Sequence, residues 1–412
     1  MTGQLETLSP RKGVQLISVI GIGHFFSHFY GIALPPLFPF LQTALNVGFA
    51  DLGVLVAAFY LASGSLQVPM GILVDRFGPA KVLILGITIQ AIAILFMGMA
   101  SSYWIIFILV LLLGAGNSVY HPADYAILAA RVPAQRLGLA FSIHTFSGHL
   151  GWAAAPVAMG FIALNYGWQM ALIVAGIGGL IAATLLLSNR RLLGMGALTA
   201  LPTQSSKKSS FGLAQILTRP ILACFVFFML FSMALTGFQS FFVSAAHAWH
   251  NTPIGDANLG LTCFFIGSAT GLLLGGVAAD RGITPVIIAT FGFGASALGI
   301  LLVGYFGPAG LLLAGSLAVT GFGHGAVAPS RDLLVRSVTP PGATGKVFGF
   351  VSVGLDIGSI STPLLYGWIM DHGGPQWIYW LSAAIMISGI ATVVFAGRMR
   401  QRHQGMKEQA AT

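Results

Sequence analysis

The chain has 412 residues, of which 56% are hydrophobic and 7% charged, and its formal net charge is +9. A soluble protein carries roughly 25% charged residues, so this chain lacks the side chains to cover a water-facing surface; the composition excludes a soluble fold in favour of a polytopic α-helical membrane protein. The positive charge invites a nucleic-acid partner, a reading excluded below by where the charges fall.

Residues 1–12 are a short polar start without a cleavable signal pattern, so the first apolar run is expected to stay in place as a helix. A bilayer core of about 30 Å needs about 20 apolar residues per helix. Twelve runs meet that requirement, at roughly 13–40, 51–73, 80–100, 103–128, 138–165, 168–188, 220–246, 257–279, 283–306, 309–334, 344–370 and 376–397. They are spans 1 to 12 below. Barrel strands are excluded, because runs this long and continuous lack the alternation of a barrel.

Between spans 2 and 3 lies a polar turn, Gly71-Ile72-Leu73-Val74-Asp75-Arg76-Phe77-Gly78-Pro79-Ala80-Lys81. A degenerate copy, Gly276-Val277-Ala278-Ala279-Asp280-Arg281-Gly282, separates spans 8 and 9. Gly71 is expected to let span 2 approach a neighbour closely, and Gly78 to permit the tight reversal. Asp75 is an anion placed to face a helix N-terminus or a basic partner. The one long connection, 189–219, is Ser-rich and basic with no acidic residue, and reads as a flexible cytoplasmic linker. It divides the chain into an N-terminal six-helix bundle (1–188) and a C-terminal one (220–412). Cys224 and Cys263 sit in apolar runs and read as buried thiols, with no disulfide framework.

All 19 Lys and Arg fall on one side of this pattern, whereas the opposite loops, 41–51, 101–103, 166–168, 247–256, 306–309 and 371–376, have none. By the positive-inside rule both termini are cytoplasmic. The asymmetry accounts for the basic charge without nucleic acid. The halves are also repeats. Under a shift of 207, Gly114, Gly116, Pro122 and Pro133 meet Gly321, Gly323, Pro329 and Pro340, and Gly138, Phe141, Gly151, Pro156 and Gly160 meet Gly345, Phe348, Gly358, Pro363 and Gly367. Two bundles related by a pseudo-two-fold axis, with a cavity between them, are the expectation.

Polar groups are costly in lipid, so each one inside a span is a functional candidate. His24 and His28 in span 1 are four residues apart and share a helix face. His121 lies in span 4, His144 and His149 in span 5, and His324 in span 10. Asp356 is the carboxylate expected near the midplane, in span 11, and the shift of 207 sets it opposite His149. A carboxylate with imidazoles suggests a proton relay, since histidine titrates near neutral pH; Asp356, His144 and His149 are the coupling candidates. A helix–helix hydrogen bond or a direct solute contact are the alternatives for Asp356, and a hydrogen-bonded packing role is the alternative for any single histidine. Asp124 and Arg331 are equivalent under the shift, have opposite charge and lie near the cytoplasmic ends of spans 4 and 10. An ion pair between them would close an inner gate; solvated interfacial charges are the alternative. His24 and His28 with Met229 and Met233 offer ligands for a copper-like ion, but a methionine stripe is more often packing, and no metal site or cofactor is assigned. No nucleophile–base pair or phosphate loop in the right context is present, which argues against an enzyme.

The turn Gly71–Lys81, with its Gly-x-Leu-x-Asp-Arg-x-Gly, resembles the loop between helices 2 and 3 of the major facilitator superfamily of transporters, and Gly276–Gly282 resembles its weaker echo. The resemblance implies a cytoplasmic latch made by Gly71, Asp75, Arg76, Gly78, Asp280 and Arg281, with Asp75 meeting the start of span 11 and Asp280 the start of span 5. It also implies a cavity lined by spans 1, 4, 7 and 10, which makes His24, His28, Asn117, His121, Gln239 and His324 the candidates for solute contact. Two stretches are narrower: Ile20–His28 with Leu37–Gln42, and Gly114–Pro122 continuing to Arg136–Ile143. They resemble fosmidomycin-resistance-type transporters, bacterial inner-membrane proton-linked exporters. The span 5 antiporter signature is degraded here to Ala155-Pro156-x-x-x-Gly160.

The resulting expectation is a monomeric twelve-helix secondary transporter of the bacterial inner membrane. It moves a small organic solute, anionic or polar, by alternating access and with proton coupling, export being favoured over import. The alternatives are an uptake symporter for an organic anion, a copper-like metal importer, and a receptor that kept the fold.

Overall fold

The computed structural model describes residues 9–195, 217–340 and 343–409. The greater part of the linker expected at 189–219 therefore lies outside the described residues. Twelve helical segments among them are long and apolar enough to cross a membrane: Arg11–Leu45, Phe49–Phe77, Pro79–Met97, Tyr103–Arg131, Ala134–Tyr166, Trp168–Ser188, Arg219–His250, Ile254–Asp280, Pro285–Phe306, Gly310–Val338, Gly345–Asp371 and Trp377–Arg398. These are spans 1 to 12, and they follow the expected runs to within a few residues. The described residues contain no strand.

Two spans are broken, each at proline. Span 1 is helical over Pro10–Gly31, passes through a 3₁₀ turn at Pro35–Leu37 and resumes over Phe38–Leu45. Consecutive prolines at 35 and 36 supply no N–H for the helix and clash with the preceding turn. Span 4 runs as Tyr103–Asn117 and Tyr120–Arg131, with the interruption at Ser118 and Val119. The Pro122 ring crowds the carbonyl four residues earlier, that of Ser118, and cannot bond to it. The second segment of span 4, which carries His121 and Asp124, is thereby set apart from the first.

Contacts divide the chain into two compact units, Met1–Gln204 and Ser205–Thr412. In the first unit span 1 packs on span 5, span 2 on span 4, and span 3 on spans 4 and 6. In the second unit span 7 packs on span 11, span 8 on span 10, and span 9 on spans 10 and 12. The pairings repeat under the internal shift, and glycines set them. A Cβ on Gly151 would strike the Phe25 carbonyl oxygen of span 1, and one on Gly358 would meet the backbone of Met229 and Met233 in span 7. Gly114 lies against the Phe59 carbonyl of span 2, and Gly321 against the Phe264 carbonyl of span 8. In lipid such backbone approach supplies the van der Waals contact that holds helices together.

Gly71 is not among these positions. A Cβ there would have only Pro122 Cβ near it, at 4.0 Å, so the close approach expected at Gly71 is made elsewhere in span 4 packing. Gly78 takes φ +91° between spans 2 and 3, and Gly282 takes φ +88° between spans 8 and 9. Both turns use a left-handed backbone that a side chain disfavours. Asp75, Arg76, Asp280 and Arg281 are all exposed at these turns.

Candidate functional site

Spans 1, 4 and 5 place three side chains against one another inside the first unit. Asp124 of span 4 is completely buried, and His144 and His24 are 1% and 2% exposed. His144 Nε2 lies 2.9 Å from Asp124 Oδ2, and His24 Nδ1 lies 3.5 Å from the same oxygen. The imidazoles of His24 and His144 stack with ring centroids 3.7 Å apart. Around this centre His28 stands 4.5 Å from His24, and His121 5.8 Å from it. The local sequence explains the convergence. His24 and His28 are one turn apart on span 1, and His121 and Asp124 are three residues apart on span 4, so each pair shares a face. Gly148 of span 5 leaves the space that the rings occupy: a Cβ there would come within 2.9 Å of both His24 and His28.

A carboxylate sealed from water costs several kcal/mol of desolvation unless it is paired. Here the carboxylate is paired by the short His144–Asp124 contact, a hydrogen bond whose donor depends on the His144 tautomer. The centre has further capacity, because His28 Nδ1, His144 Nδ1, Asp124 Oδ1 and the Tyr120 hydroxyl are buried without a hydrogen-bond partner among the described residues. The ligand atoms of His24, Asp124 and His144 all lie within 4.8 Å of one another, close enough to consider a metal ion. Metal–ligand bonds of about 2.0–2.2 Å in a tetrahedral site keep ligand atoms more than about 3 Å apart. An ion would have to part the 2.9 Å His144–Asp124 contact, so the arrangement does not fit a metal as it stands.

The remaining candidates separate into other settings. Asp124, expected as a gate partner for Arg331, is fully buried with the imidazoles of His144 and His24 as its partners. Arg331 instead bonds Asp332, Nε to Oδ1 at 2.9 Å. The carboxylate among the histidines is thus Asp124 and not Asp356, which is exposed and makes no hydrogen bond or ion pair among the described residues. Asp124 lies near the C-terminal end of span 4, the end expected to be cytoplasmic, on the helical segment Tyr120–Arg131 that follows the break. His149 is half-buried, its Nδ1 3.1 Å from the Thr145 carbonyl, and the Trp152 ring stands between it and the cluster, 5.2 Å from His149 and 4.3 Å from His28. His324 is enclosed by aromatic rings, with Phe231 at 4.5 Å and Phe264 and Phe293 each at 6.0 Å. Gln239 is buried within span 7.

Asn117 turns out to be a tie between four spans. Its Oδ1 accepts from Ser27 Oγ at 2.9 Å and from Gln90 Nε2 at 3.4 Å, and its Nδ2 donates to Ser63 Oγ at 2.9 Å. Losing a buried hydrogen-bonding centre costs about 1–3 kcal/mol for each group left unsatisfied. Asn117→Ala is expected to destabilise the protein by that order, read as a lower midpoint of thermal unfolding in detergent; an unchanged midpoint would remove the structural role. Gly148, Tyr120 and Trp152 were not singled out from sequence. The relation between His121 and Asp124, three apart beside a helix-breaking proline, was the available signal for the centre.

The family model of the Major Facilitator Superfamily matches residues 20–252 and 244–411. The fosmidomycin resistance protein of Escherichia coli (strain K12) is 24% identical over 399 residues, 94% of each chain. The probable galactarate/D-glucarate transporter GudP of Bacillus subtilis (strain 168) is 24% identical, over 81% of this chain and 80% of that protein. Among solved structures, a bacterial homologue of the human lysosomal transporter Spinster, inward-facing and occupied, superposes with a TM-score of 0.76 at 13% identity, covering 95% of this chain and 98% of that one.

Proposed function

This chain belongs to the Major Facilitator Superfamily, and on that premise we propose that it is a proton-coupled secondary transporter of a small organic solute, anionic or polar, with export the favoured direction. It works as a monomer in the inner membrane, with both termini in the cytoplasm and two six-helix bundles, joined by the 189–219 linker, that alternate access to the solute. The observation that carries the coupling is the fully buried Asp124 with His144 and His24 at 2.9 and 3.5 Å. With one proton the Asp124–His144 pair is neutral; without it, a bare carboxylate is left in a medium that stabilises charge poorly. A conformation that brings water to the centre tolerates the deprotonated state, and one that seals it favours the protonated state. Proton binding then shifts the balance between the two in proportion to its differential affinity for them.

Relatives support a solute transporter, and the Bacillus subtilis relative, a probable galactarate/D-glucarate transporter, favours an organic anion. The test is proton movement in proteoliposomes holding a pH-sensitive dye, challenged in turn with organic anions, neutral sugars and copper. Solute-evoked pH change is expected for an organic anion, and its sign relative to solute flux separates antiport from symport. Counterflow of a solute with no accompanying proton movement would overturn the coupling.

A further inference from the structure

The second unit carries a cation held in a way that the coupling centre does not use. Arg331 of span 10 lies against span 7, its guanidinium carbon 4.6 Å from the Phe228 ring centre and 4.9 Å from that of Phe231. Both rings are buried, while the Arg331 side chain is 17% exposed. Phe231 also packs on His324, which is two turns earlier on the same face of span 10. The result is a ladder of His324, Phe231 and Arg331. Cation–π attraction holds the guanidinium against these rings.

Of the five N–H donors on a guanidinium, one is taken by Asp332 through Nε at 2.9 Å. The two terminal nitrogens have no acceptor among the described residues. Asp332 itself is 52% exposed, so it compensates the charge only weakly. Arg331 lies near the end of span 10, which runs to Val338, and holding its guanidinium among aromatic side chains with only a half-exposed carboxylate against it is costly. The cost is recovered when an oxyanion docks, because the planar fork matches a carboxylate, phosphonate or sulfonate with two parallel hydrogen bonds.

We infer that Arg331, held against Phe228 and Phe231, is the site in the second unit that recognises the oxyanion group of the transported solute. The inference rests on the transporter reading above but not on its proton coupling, since binding is measured here at equilibrium with no gradient. Purified protein is titrated with D-glucarate and with methylphosphonate, and with sorbitol as the neutral control, by isothermal calorimetry. At least one anion is expected to bind and sorbitol not. Arg331→Lys, which keeps the charge but loses the fork, is expected to weaken anion binding at least tenfold, and Arg331→Gln to abolish it. Asp332→Asn removes an internal anion competing for the same guanidinium and is expected to tighten anion binding; a merely structural arginine would give no such gain. Wild-type affinity in Arg331→Gln, or binding of sorbitol without either anion, overturns the inference. Anion binding without solute-evoked proton movement supports it while sinking the coupling, and proton-coupled flux of a neutral solute alone does the reverse.

Discussion

Asp124→Asn is expected to lower solute-evoked proton movement in proteoliposomes at least about 100-fold, the lower range for removing a positioned proton-transfer group, while solute counterflow stays within about twofold. Asparagine has the shape of aspartate and keeps an oxygen for His144, so the helix contacts survive. It can hold neither the charge nor the proton. The sealed setting of Asp124, with His144 Nε2 at 2.9 Å, makes this the place where one proton changes the local charge most. The same substitution at Asp356 provides the contrast, because that side chain is exposed and has no partner among the described residues; Asp356→Asn is expected to keep proton movement. Intact coupling in Asp124→Asn together with its loss in Asp356→Asn would return the coupling to span 11.

Gly151→Ala is expected to destabilise the protein by about 1–3 kcal/mol, the usual cost of overpacking, and to impair coupling as well. The added methyl would strike the Phe25 carbonyl oxygen and come within 3.0 Å of the Phe29 amide nitrogen. Neither is a flexible side chain, so spans 1 and 5 must separate. Separation carries His24 and His28 away from His144 and Asp124, which sit on the other two helices. Gly71→Ala is the control, since among the described residues only Pro122 Cβ, at 4.0 Å, faces the new methyl. There the gain in helix propensity, up to about 1 kcal/mol, leaves stability unchanged or slightly higher. The comparison is made by thermal unfolding of the purified proteins in detergent, and equal midpoints for Gly151→Ala and wild type would sink the packing argument.

The membrane class, the twelve spans and the superfamily could be read from the chain because each rests on local or additive features. Hydrophobic run length is set by bilayer thickness, and the motif Gly71–Gly78 lies in one stretch of eleven residues with Pro79–Lys81. The internal repeat was legible through the glycines and prolines that control approach and kinks, and the helix pairings 1–5 and 7–11, 2–4 and 8–10 follow it. Histidines 24, 28, 121 and 144 were recognised as polar groups in apolar spans, which is again a property of single residues.

Which of them meet, and around which carboxylate, is a property of three helices. In sequence Asp356 lies nearer the middle of its span than Asp124, which favours Asp356 as the partner of the histidines. Only packing decides that the Pro122 break and the small Gly148 bring Asp124 against His144 and His24, while Asp356 is left exposed. Asn117 likewise reads as a solute ligand until Ser27, Gln90 and Ser63 are seen to consume its hydrogen bonds. Sequence alone determined where the chain crosses the membrane, since the free energy of insertion sums over neighbouring residues. The tertiary structure alone decided which buried polar groups meet and which tie helices together, since that energy depends on distances of a few ångströms between residues on different helices, 20 positions apart for Asp124 and His144 and 90 for Ser27 and Asn117.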